Sequence, residues 1–251
     1  MRSLSRCARS AALLALLACI AGRAACADEF AVLLFSKTAE FRHASIPAGI
    51  AAIRDMGEAH GFRVDATEDA TAFTGENLAR YQAVVFFNTT GNVLDDKQQA
   101  AFEGYVRKGH GFVGIHSATD TEYDWPWYGA LVGAYFRRHP AIQRATLFVD
   151  RSHLSTAHLP VRWQRTDEWY NFRQELDPNI LVLIRLDEDS YSGGTMGANH
   201  PISWCHEFDG GRAWYTAIGH QPEAYAEPLF LEHLLGGIRW AAGVASTQDP
   251  R

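Results

Sequence analysis

Apolar residues in the first half of the chain fall into short continuous runs, separated by stretches in which they recur every three or four positions. The continuous runs predict strands at residues 30–35, 62–66, 83–87 and 111–115. Uninterrupted apolar runs of this kind are typical of parallel strands that are covered on both faces. The first half therefore predicts the central strands of a buried sheet.

Two helices are predicted between these strands. The first runs from a predicted N-cap at Ser45 to a C-terminal stop at Gly61. The second begins at Asp95, where Gln98 completes a capping box, and stops at Gly109. Their buried sides are predicted from apolar residues at helical spacing: Ile46, Ile50, Ile53 and Met56 in the first, and Ala101, Phe102, Tyr105 and Val106 in the second. Alternating strands and helices imply a parallel sheet with right-handed crossovers.

Strands dominate the second half of the chain. Further strands are predicted at residues 145–149, 180–185, 202–207 and 213–217, and a closing helix at residues 229–242. Few helical stretches separate these strands. We therefore expect an α/β fold with a mostly parallel central sheet and extra β-strands in the C-terminal half.

Polar turns follow two of the predicted strands. The fourth strand runs directly into a turn that presents His116, Ser117 and Asp120 within five residues, and the third is followed by a turn containing Thr89 and Gly91. Ligands of open α/β sheets bind beyond the carboxyl ends of the strands. These turns therefore predict the location of a binding cleft.

Four of the eleven histidines lie where the predicted topology favours function: His43, His116, His139 and His220. We predict His116 as an acid–base group with Asp120 orienting its imidazole. Glu168 is a second candidate, because partial burial between apolar neighbours would raise its pKa. The predicted catalytic residues are His116, Asp120 and Glu168, and the predicted substrate-binding residues are His43, Thr89, Gly91, Ser117, His139, Tyr170 and His220.

A divalent metal held by histidines remains an alternative for the same residues. His43, His116, Glu168 and His220 would supply the ligands, although no local metal motif such as H-E-x-x-H supports them. The segment 114–118 resembles a nucleophile elbow, but His116 stands where the nucleophile would be. No glycine-rich phosphate loop is present in the sequence. Tyr and Trp residues at 123–128 suit either sugar binding or packing over the core.

The first 27 residues carry the features of a secretory signal. Arg2, Arg6 and Arg9 precede an apolar run at residues 11–20 that is too short to span a bilayer, and residues 25–27 form an A-x-A cleavage site. The alternative is a lipoprotein signal ending at Cys19, which the bulky residue before Ala18 disfavours. We expect a periplasmic or secreted protein without a membrane anchor, forming one domain over residues 28–245.

Charge and cysteine content narrow the classes of partner. The whole chain has a net charge of −6, and because the first 27 residues hold four arginines and no acid, the remainder carries −10. This acidity argues against nucleic acid and anionic membranes as partners. Beyond the predicted signal the only cysteine is Cys205, so neither an intramolecular disulfide nor a cysteine-based zinc cluster is expected.

Several short motifs follow one another between residues 29 and 243. They are Thr38-x-x-Phe41-Arg42-His43, Gly111-Phe112-Val113-Gly114-Ile115-His116-Ser117-Ala118, Trp125-Pro126 through Phe136-x-x-His139-Pro140, Asp167-Glu168-Trp169-Tyr170, His200-Pro201-Ile202-Ser203-Trp204, and residues 211–220, which end in Gly219-His220. Each motif is weak by itself. In this order they resemble the ThuA-like family, the trehalose-utilisation type.

The resemblance implies a flavodoxin-like, class I glutamine amidotransferase-like three-layer sandwich. The matching position of the amidotransferase cysteine is His116, so thiol chemistry is not expected. The family is associated with catabolism of trehalose and its 3-keto derivatives, which implies a small sugar as substrate. We expect acid–base isomerisation, hydrolysis or elimination through His116, or alternatively a non-catalytic carbohydrate-binding module. A homo-oligomer is compatible with both.

Overall fold

The computed structural model describes residues 30–244. The predicted signal segment, residues 1–27, lies outside the described residues, as does the predicted end of the domain at residue 245. The buried apolar side chains of the described chain form one contiguous core. None of the helices in this region combines the length and apolar character needed to cross a membrane.

Eleven strands and five α-helices make up the described region. The strands are Phe30–Phe35 (β1), Phe62–Thr67 (β2), Ala83–Phe87 (β3), Gly111–Ile115 (β4), Phe136–Arg138 (β5), Gln143–Val149 (β6), Arg162–Asp167 (β7), Asn171–Phe172 (β8), Leu181–Leu186 (β9), Pro201–Phe208 (β10) and Gly211–Thr216 (β11). The helices are Ile46–His60 (α1), Gly75–Leu78 (α2), Asp96–Val106 (α3), Pro126–Val132 (α4) and Pro228–Ala242 (α5).

Nine strands form a single mixed sheet in the order β2-β1-β3-β4-β11-β10-β9-β6-β7. The first five pair in parallel, and the last four add on by antiparallel pairing. Strands β5 and β8 pair separately. The predicted α/β class, with extra strands contributed by the C-terminal half, is confirmed.

Two adjacent phenylalanines at the end of β3 show how the sheet is covered on both sides. Phe86 contacts Phe102 of α3 and Tyr128 of α4, with ring centroids 5.3 and 5.4 Å apart. Phe87 packs in the opposite direction, against Tyr225 at 5.4 Å and the backbone of Gly49 in α1. Successive side chains of a strand point to opposite faces, so helices on both sides produce a three-layer sandwich.

The early elements match their predicted positions closely. The predicted strands at 30–35, 83–87 and 111–115 are β1, β3 and β4, and Asp95 forms the predicted capping box with Gln98. Ser45 does occupy the N-cap position of α1, but its side chain does not cap the helix. Its hydroxyl donates to the carbonyl of Gly219 and accepts from Asn88, because it lies between two loops of the cleft.

Three strands and two helices, the four-residue α2 and the longer α4, had no clear signal in the sequence. β7 alternates exposed and buried positions. One of its buried residues is Arg165, so the strand lacks the alternation of apolar and polar residues that would have predicted it. β5 and β8 are only three and two residues long. Helix α4 begins at a proline inside a segment where aromatic residues suggested a lid. Short elements of this kind depend on tertiary contacts more than on periodicity.

The carboxyl ends of the parallel strands lie side by side. Phe35 pairs with Phe86, and Ile115 is level with both Phe87 and Thr216. The loops after β1, β3, β4 and β11 therefore leave the sheet at one edge. This arrangement confirms the expectation that His43 and His116 face a common cleft.

His233 lies fully buried within α5, beneath the central sheet. Its Nδ1–H donates to the carbonyl of Ser155, and its Nε2 lies 3.3 Å from the hydroxyl of Thr216. Burial lowers the pKa of His233 from 6.5 to about 3. The folded protein therefore keeps this imidazole neutral at pH values where an unfolded chain would protonate it.

We expect the free energy of unfolding to decrease as the pH falls from about 6.5 towards 3, because only the unfolded chain binds a proton at His233 in that range. His233→Gln removes this contribution, so its stability should depend less steeply on pH, by up to about 1.4 kcal/mol per pH unit. Urea unfolding of both proteins between about pH 4 and 6 measures the slopes. Equal slopes would contradict the assignment.

Candidate functional site

The turn after β4 is a strained elbow. His116 follows the strand directly and has a φ of 51°, in the left-handed region that non-glycine residues rarely occupy. A short 3₁₀ turn then runs over His116–Thr119. The sharp reversal lifts the imidazole out of the apolar layer while keeping it fully buried among the loops of the cleft. The elbow shape inferred from residues 114–118 is present in the backbone.

Both ring nitrogens of His116 have partners. Nδ1 lies 2.8 Å from the carbonyl oxygen of Ala217, which can only accept, so Nδ1 carries the proton. Nε2 therefore presents a lone pair, which accepts from the hydroxyl of Tyr170 at 2.9 Å. The orienting role predicted for Asp120 falls instead to the Ala217 carbonyl. The side chain of Asp120 accepts from the Tyr123 hydroxyl at the mouth of the cleft.

Four potential ligand atoms converge beside this lone pair. His43, His116, Glu168 and His220 each offer one atom, and all four atoms lie within 4.8 Å of one another. His220 Nδ1 is 3.3 Å from His116 Nε2 and 3.2 Å from Glu168 Oε2. These are the four residues named by the metal alternative in the sequence. The fold brings them together from positions up to 177 residues apart.

Glu168 is the only carboxylate of this cluster. Its Oε2 faces His116 and His220, and its Oε1 lies 3.1 Å from Nδ1 of His139. Burial acts to raise the pKa of Glu168, but the imidazoles of His116 and His220 beside its carboxylate outweigh burial and hold the pKa well below its usual range. The predicted rise is therefore wrong, because the histidines around the carboxylate were not evident from its apolar sequence neighbours.

Asp167 holds two parts of the cluster in place. Its fully buried carboxylate accepts from the backbone N–H groups of Glu168, Gly219 and His220, at 2.9, 3.1 and 3.2 Å. Gly219 adopts a φ of 127°, and a Cβ there would lie 2.5 Å from the Tyr225 hydroxyl. Glycine thus permits the turn that aims both amides at Asp167. The sequence pointed to Glu168 as a site residue but gave no sign that Asp167, beside it, positions the backbone of the cluster.

His43 is a neutral member of the cluster. Burial, followed by the nearby His116 and His220, lowers the pKa of His43 from 6.5 to about 3. Its Nδ1 lies 3.4 Å from the hydroxyl of Ser117. Ser117 is fully buried, so this predicted binding residue contacts a histidine of the site.

The cluster opens to solvent on the side of His139 and His220. Their side chains are 41% and 21% exposed, whereas the side chains of Glu168 and His116 are 6% and 0% exposed. Tyr170 lies behind this opening, where burial raises the pKa of its phenol well above the usual value and keeps it protonated. Of the predicted binding residues, His139 and His220 therefore lie on the exposed side of the cluster, and Tyr170 lies buried next to them.

Two other predicted binding residues, Thr89 and Gly91, form hydrogen bonds between neighbouring loops. The hydroxyl of Thr89 is buried and hydrogen-bonds the hydroxyl of Thr121. The N–H of Gly91 donates to the carbonyl of Asp120, and its own carbonyl accepts from Glu122. Both residues therefore join the loops after β3 and β4, and their assignment to substrate binding stays a prediction. The polar turn predicted after β3 is buried against the neighbouring loop at these two positions.

The aromatic residues at 123–128 mainly pack against the core. Trp125 stacks on Tyr128 and contacts Phe102 of α3, with centroids 5.8 and 6.5 Å apart. Tyr123 is the member nearest the cleft, where its hydroxyl donates to Asp120 and Arg173 covers its ring. The sequence suited this segment to either sugar binding or packing over the core. Trp125 and Tyr128 pack over the core.

The family model described as trehalose utilisation, ThuA, matches residues 31–241. The chain belongs to the ThuA family. No curated protein shows significant similarity to it in sequence. The match spans every element that builds the cluster, from the loop after β1 to α5.

Solved structures confirm the fold expected of a ThuA protein. A ThuA-like protein from Bacteroides uniformis ATCC 8492 superposes with a TM-score of 0.72 at 23% identity, covering 86% of this chain and 92% of that one. A ThuA-like protein from Parabacteroides merdae ATCC 43184 gives 0.73 at 21% identity, covering 88% and 93%. A GMP synthase protein from Thermoplasma acidophilum gives 0.51 at 12%, covering 85% and 94%. At these sequence identities, the three structures show that this chain shares their fold.

Thiol chemistry has no suitable group in the described part of this ThuA chain. Cys205 is the single cysteine of residues 30–244, and it lies buried in β10. Burial raises the pKa of its thiol to about 12, so a thiolate is strongly disfavoured at neutral pH. His116 occupies the elbow instead.

His200 is a further histidine of the ThuA motifs that sequence reasoning did not select for the site. Its Nε2 donates to the carbonyl of Tyr170 at 2.7 Å, and its Nδ1 lies 2.7 Å from Oε1 of Glu188. The buried ring thereby fixes the backbone that carries Tyr170. The only sequence signal was its place beside a proline at the start of a strand.

The strained elbow of this ThuA protein yields a prediction about two variants. Both His116→Ala and His116→Gly lose the imidazole, but only glycine adopts the φ of 51° without a Cβ penalty. We expect the glycine variant to be more stable by about 0.5–1 kcal/mol, after allowing for its greater entropy when unfolded. Chemical denaturation compares them. An alanine variant as stable as the glycine variant would show that the elbow carries no strain.

Proposed function

We propose that this protein is a metal-dependent enzyme that transfers protons on an oxidised sugar. The observation that carries the proposal is the convergence of His43, His116, Glu168 and His220, whose ligand atoms lie within 4.8 Å of one another. Three imidazoles and one carboxylate form a donor set suited to Zn²⁺ and related divalent transition metals.

The hydrogen bonds around the cluster support ligand roles for these side chains. His116 donates through Nδ1 to Ala217, which leaves Nε2 as the coordinating atom. Asp167 fixes the backbone of Glu168 and His220, and Ser117 lies against His43. Outer partners of this kind orient the ligands of metal sites. Metal–nitrogen bonds of about 2.0–2.1 Å require only small movements of these side chains towards a common centre.

The alternative of His116 as the acid–base group fits this geometry less well. The ring is fully buried, and its one lone pair points into the group of four ligand atoms. A base must reach a proton on the substrate. We therefore assign His116 to ligation, and the proton transfer to a residue nearer the mouth.

His139 is the residue we assign as general base. Its Nδ1 lies 3.1 Å from Glu168 Oε1 and 2.9 Å from the carbonyl of Pro140, so it is the protonated nitrogen. Nε2 of this 41% exposed ring keeps its lone pair for a substrate proton. Orientation of one ring nitrogen by a carboxylate, with the other free to accept, is the arrangement that base catalysis requires.

Tyr170 is the residue we assign as proton donor. Its phenol remains protonated at neutral pH, because burial raises its pKa. In the structure it donates to Nε2 of His116. When that nitrogen serves as a ligand, the hydroxyl becomes available to donate to an oxygen of the substrate.

The family description, trehalose utilisation, supports a sugar as the substrate. The carbonyl of a keto-sugar is the group that a bound divalent cation would polarise. His139 then accepts the proton from the carbon beside the carbonyl, and the C–H electron pair forms an enolate. Delivery of a proton to the former carbonyl carbon, with loss of the neighbouring hydroxyl proton, completes an isomerisation. Cleavage of the adjacent glycosidic C–O bond, with a proton passing to the leaving oxygen, completes an elimination.

The location of the protein is part of the proposal. The features of residues 1–27 support export to the periplasm or secretion, and the acidity of the remaining chain favours a small neutral substrate over nucleic acid. Ligation by histidine and carboxylate requires no thiolate, so it suits an oxidising compartment.

We expect the purified protein to bind about one divalent metal per chain, and to convert 3-keto-trehalose only while the metal is present. His116→Ala and Glu168→Gln remove ligands and should lose both the metal and the turnover. Elemental analysis, with Zn²⁺ or Mn²⁺ added back after chelation, measures the first, and NMR of the keto-sugar measures the second. His60→Ala, a change at an exposed histidine of α1, is the matched control.

The same assay separates the assigned base from the ligands. His139→Gln should keep the metal and lose at least about 100-fold in kcat, because general-base catalysis typically contributes this much. Full activity in His139→Gln would remove that assignment. Sugar binding without turnover, unchanged in His116→Ala, would instead favour the non-catalytic carbohydrate-binding module.

Asp167 should matter for metal affinity without touching the metal. Asp167→Asn keeps the size of the side chain but loses one of the two oxygens that together accept from the backbone of Glu168, Gly219 and His220. We expect metal affinity to fall by about 10- to 100-fold, as for other outer-shell changes. Calorimetric titration with Zn²⁺ measures it. Asp150→Asn, which alters another carboxylate that accepts a backbone N–H, should leave the affinity unchanged.

A further inference from the structure

Phe41 is the most exposed large apolar side chain in the described part of the chain, at 62%. It belongs to the loop after β1 and lies directly beside the cluster. We propose that Phe41 is the platform on which the second sugar ring of a disaccharide substrate stacks, while the first ring reacts inside the cleft. This inference rests on the proposed function and adds the size of the substrate to it.

The loop holds Phe41 in its exposed position. The Phe41 carbonyl accepts from the hydroxyl of Thr90 at 2.8 Å, and the N–H of Ala39 donates to the carbonyl of the same threonine at 2.8 Å. The next residue, Arg42, forms a two-pronged ion pair with Glu68. The ring is therefore presented by a backbone anchored on both sides, which lowers the entropy lost when a ligand binds.

Ring contacts connect Phe41 to the interior of the site. Its ring lies edge-on to His43 at 4.8 Å, and His43 lies edge-on to His220 at 5.3 Å. His43 is only 4% exposed, so Phe41 marks the rim where the buried cluster meets solvent. A sugar that enters past His220 and places its carbonyl at the cluster therefore has the exposed ring of Phe41 on the far side of His43.

The chemistry of the rim suits a pyranose. One face of a pyranose ring carries mainly C–H groups and packs on a flat aromatic surface, while its hydroxyls need polar partners at the edge. Such a partner is present in Glu40, the exposed residue before Phe41. An isolated aromatic face next to a carboxylate favours a neutral sugar over an extended protein partner.

The experiment compares two substrates of different length. Steady-state kinetics are measured on the metal-loaded protein with 3-keto-trehalose, which has two rings, and with methyl 3-keto-α-glucoside, which has one. We expect Phe41→Ala to raise KM for the two-ring substrate by about three- to tenfold, the size of one aromatic stacking contact, and to leave KM for the one-ring substrate unchanged. Phe41→Trp should retain the wild-type KM, and Phe41→Leu should be intermediate.

Phe148→Ala is the matched control. Phe148 is also an exposed phenylalanine, at 38%, but it lies against Arg162 at the far end of the β6–β7 pair from Asp167. This variant should change neither KM. Metal content, measured alongside, should equal that of the wild type in all of these variants, because none of them alters a ligand.

The outcomes separate this inference from the function on which it rests. Turnover by the wild type with the same KM in Phe41→Ala overturns the platform and leaves the proposed function standing. An equal rise in KM for both substrates also overturns it, because Phe41 would then contact the reacting ring. A change in sedimentation coefficient in Phe41→Ala would assign the residue to a protein interface. Absence of metal and turnover in the wild type would reject the proposed function itself.

Discussion

The site depends on the way one buried carboxylate, Asp167, joins two distant segments. Its oxygens accept from the amide that follows the end of β7 and from two amides in the turn after β11, more than 50 residues further along the chain. β7 is the last strand in the sheet order and β11 the fifth, so this contact connects the edge strand to the middle of the sheet. It holds the backbones of Glu168 and His220 at the distance at which their side chains meet.

The charges of the cluster explain why it is tolerated in the interior. A lone buried carboxylate is costly, and Glu168 is stabilised here by His139 and His220, whose Nδ1 atoms lie 3.1 and 3.2 Å from its oxygens. Burial keeps His43 neutral, while the hydrogen bond to Glu168 raises the pKa of His220. The result is a group of imidazoles around one carboxylate, which is the donor set that the proposed divalent metal would require.

The backbone of the elbow after β4 directs one side chain into the cleft. The residue after the strand adopts a left-handed φ of 51° at this point. In this chain the residue is His116, with its proton fixed by Ala217, and the single described cysteine lies buried in another strand. The antiparallel extension then adds Glu168, Tyr170 and His139 to the parallel edge, so the second half of the chain converts a common scaffold into this particular site.

The apolar pattern by itself determined the central layer: β1, β3 and β4, the capped start of α3, and the shared edge for His43 and His116. These follow from local chemistry, because buried parallel strands require continuous apolar runs whose carboxyl ends align. Only the tertiary structure decided the low pKa of Glu168, the inward orientation of Thr89, the replacement of Asp120 by the Ala217 carbonyl, and the positioning role of Asp167. Each of these depends on which groups meet across the cleft. Desolvation and hydrogen bonding act between atoms close in space, so they leave little trace in the order of residues along the chain.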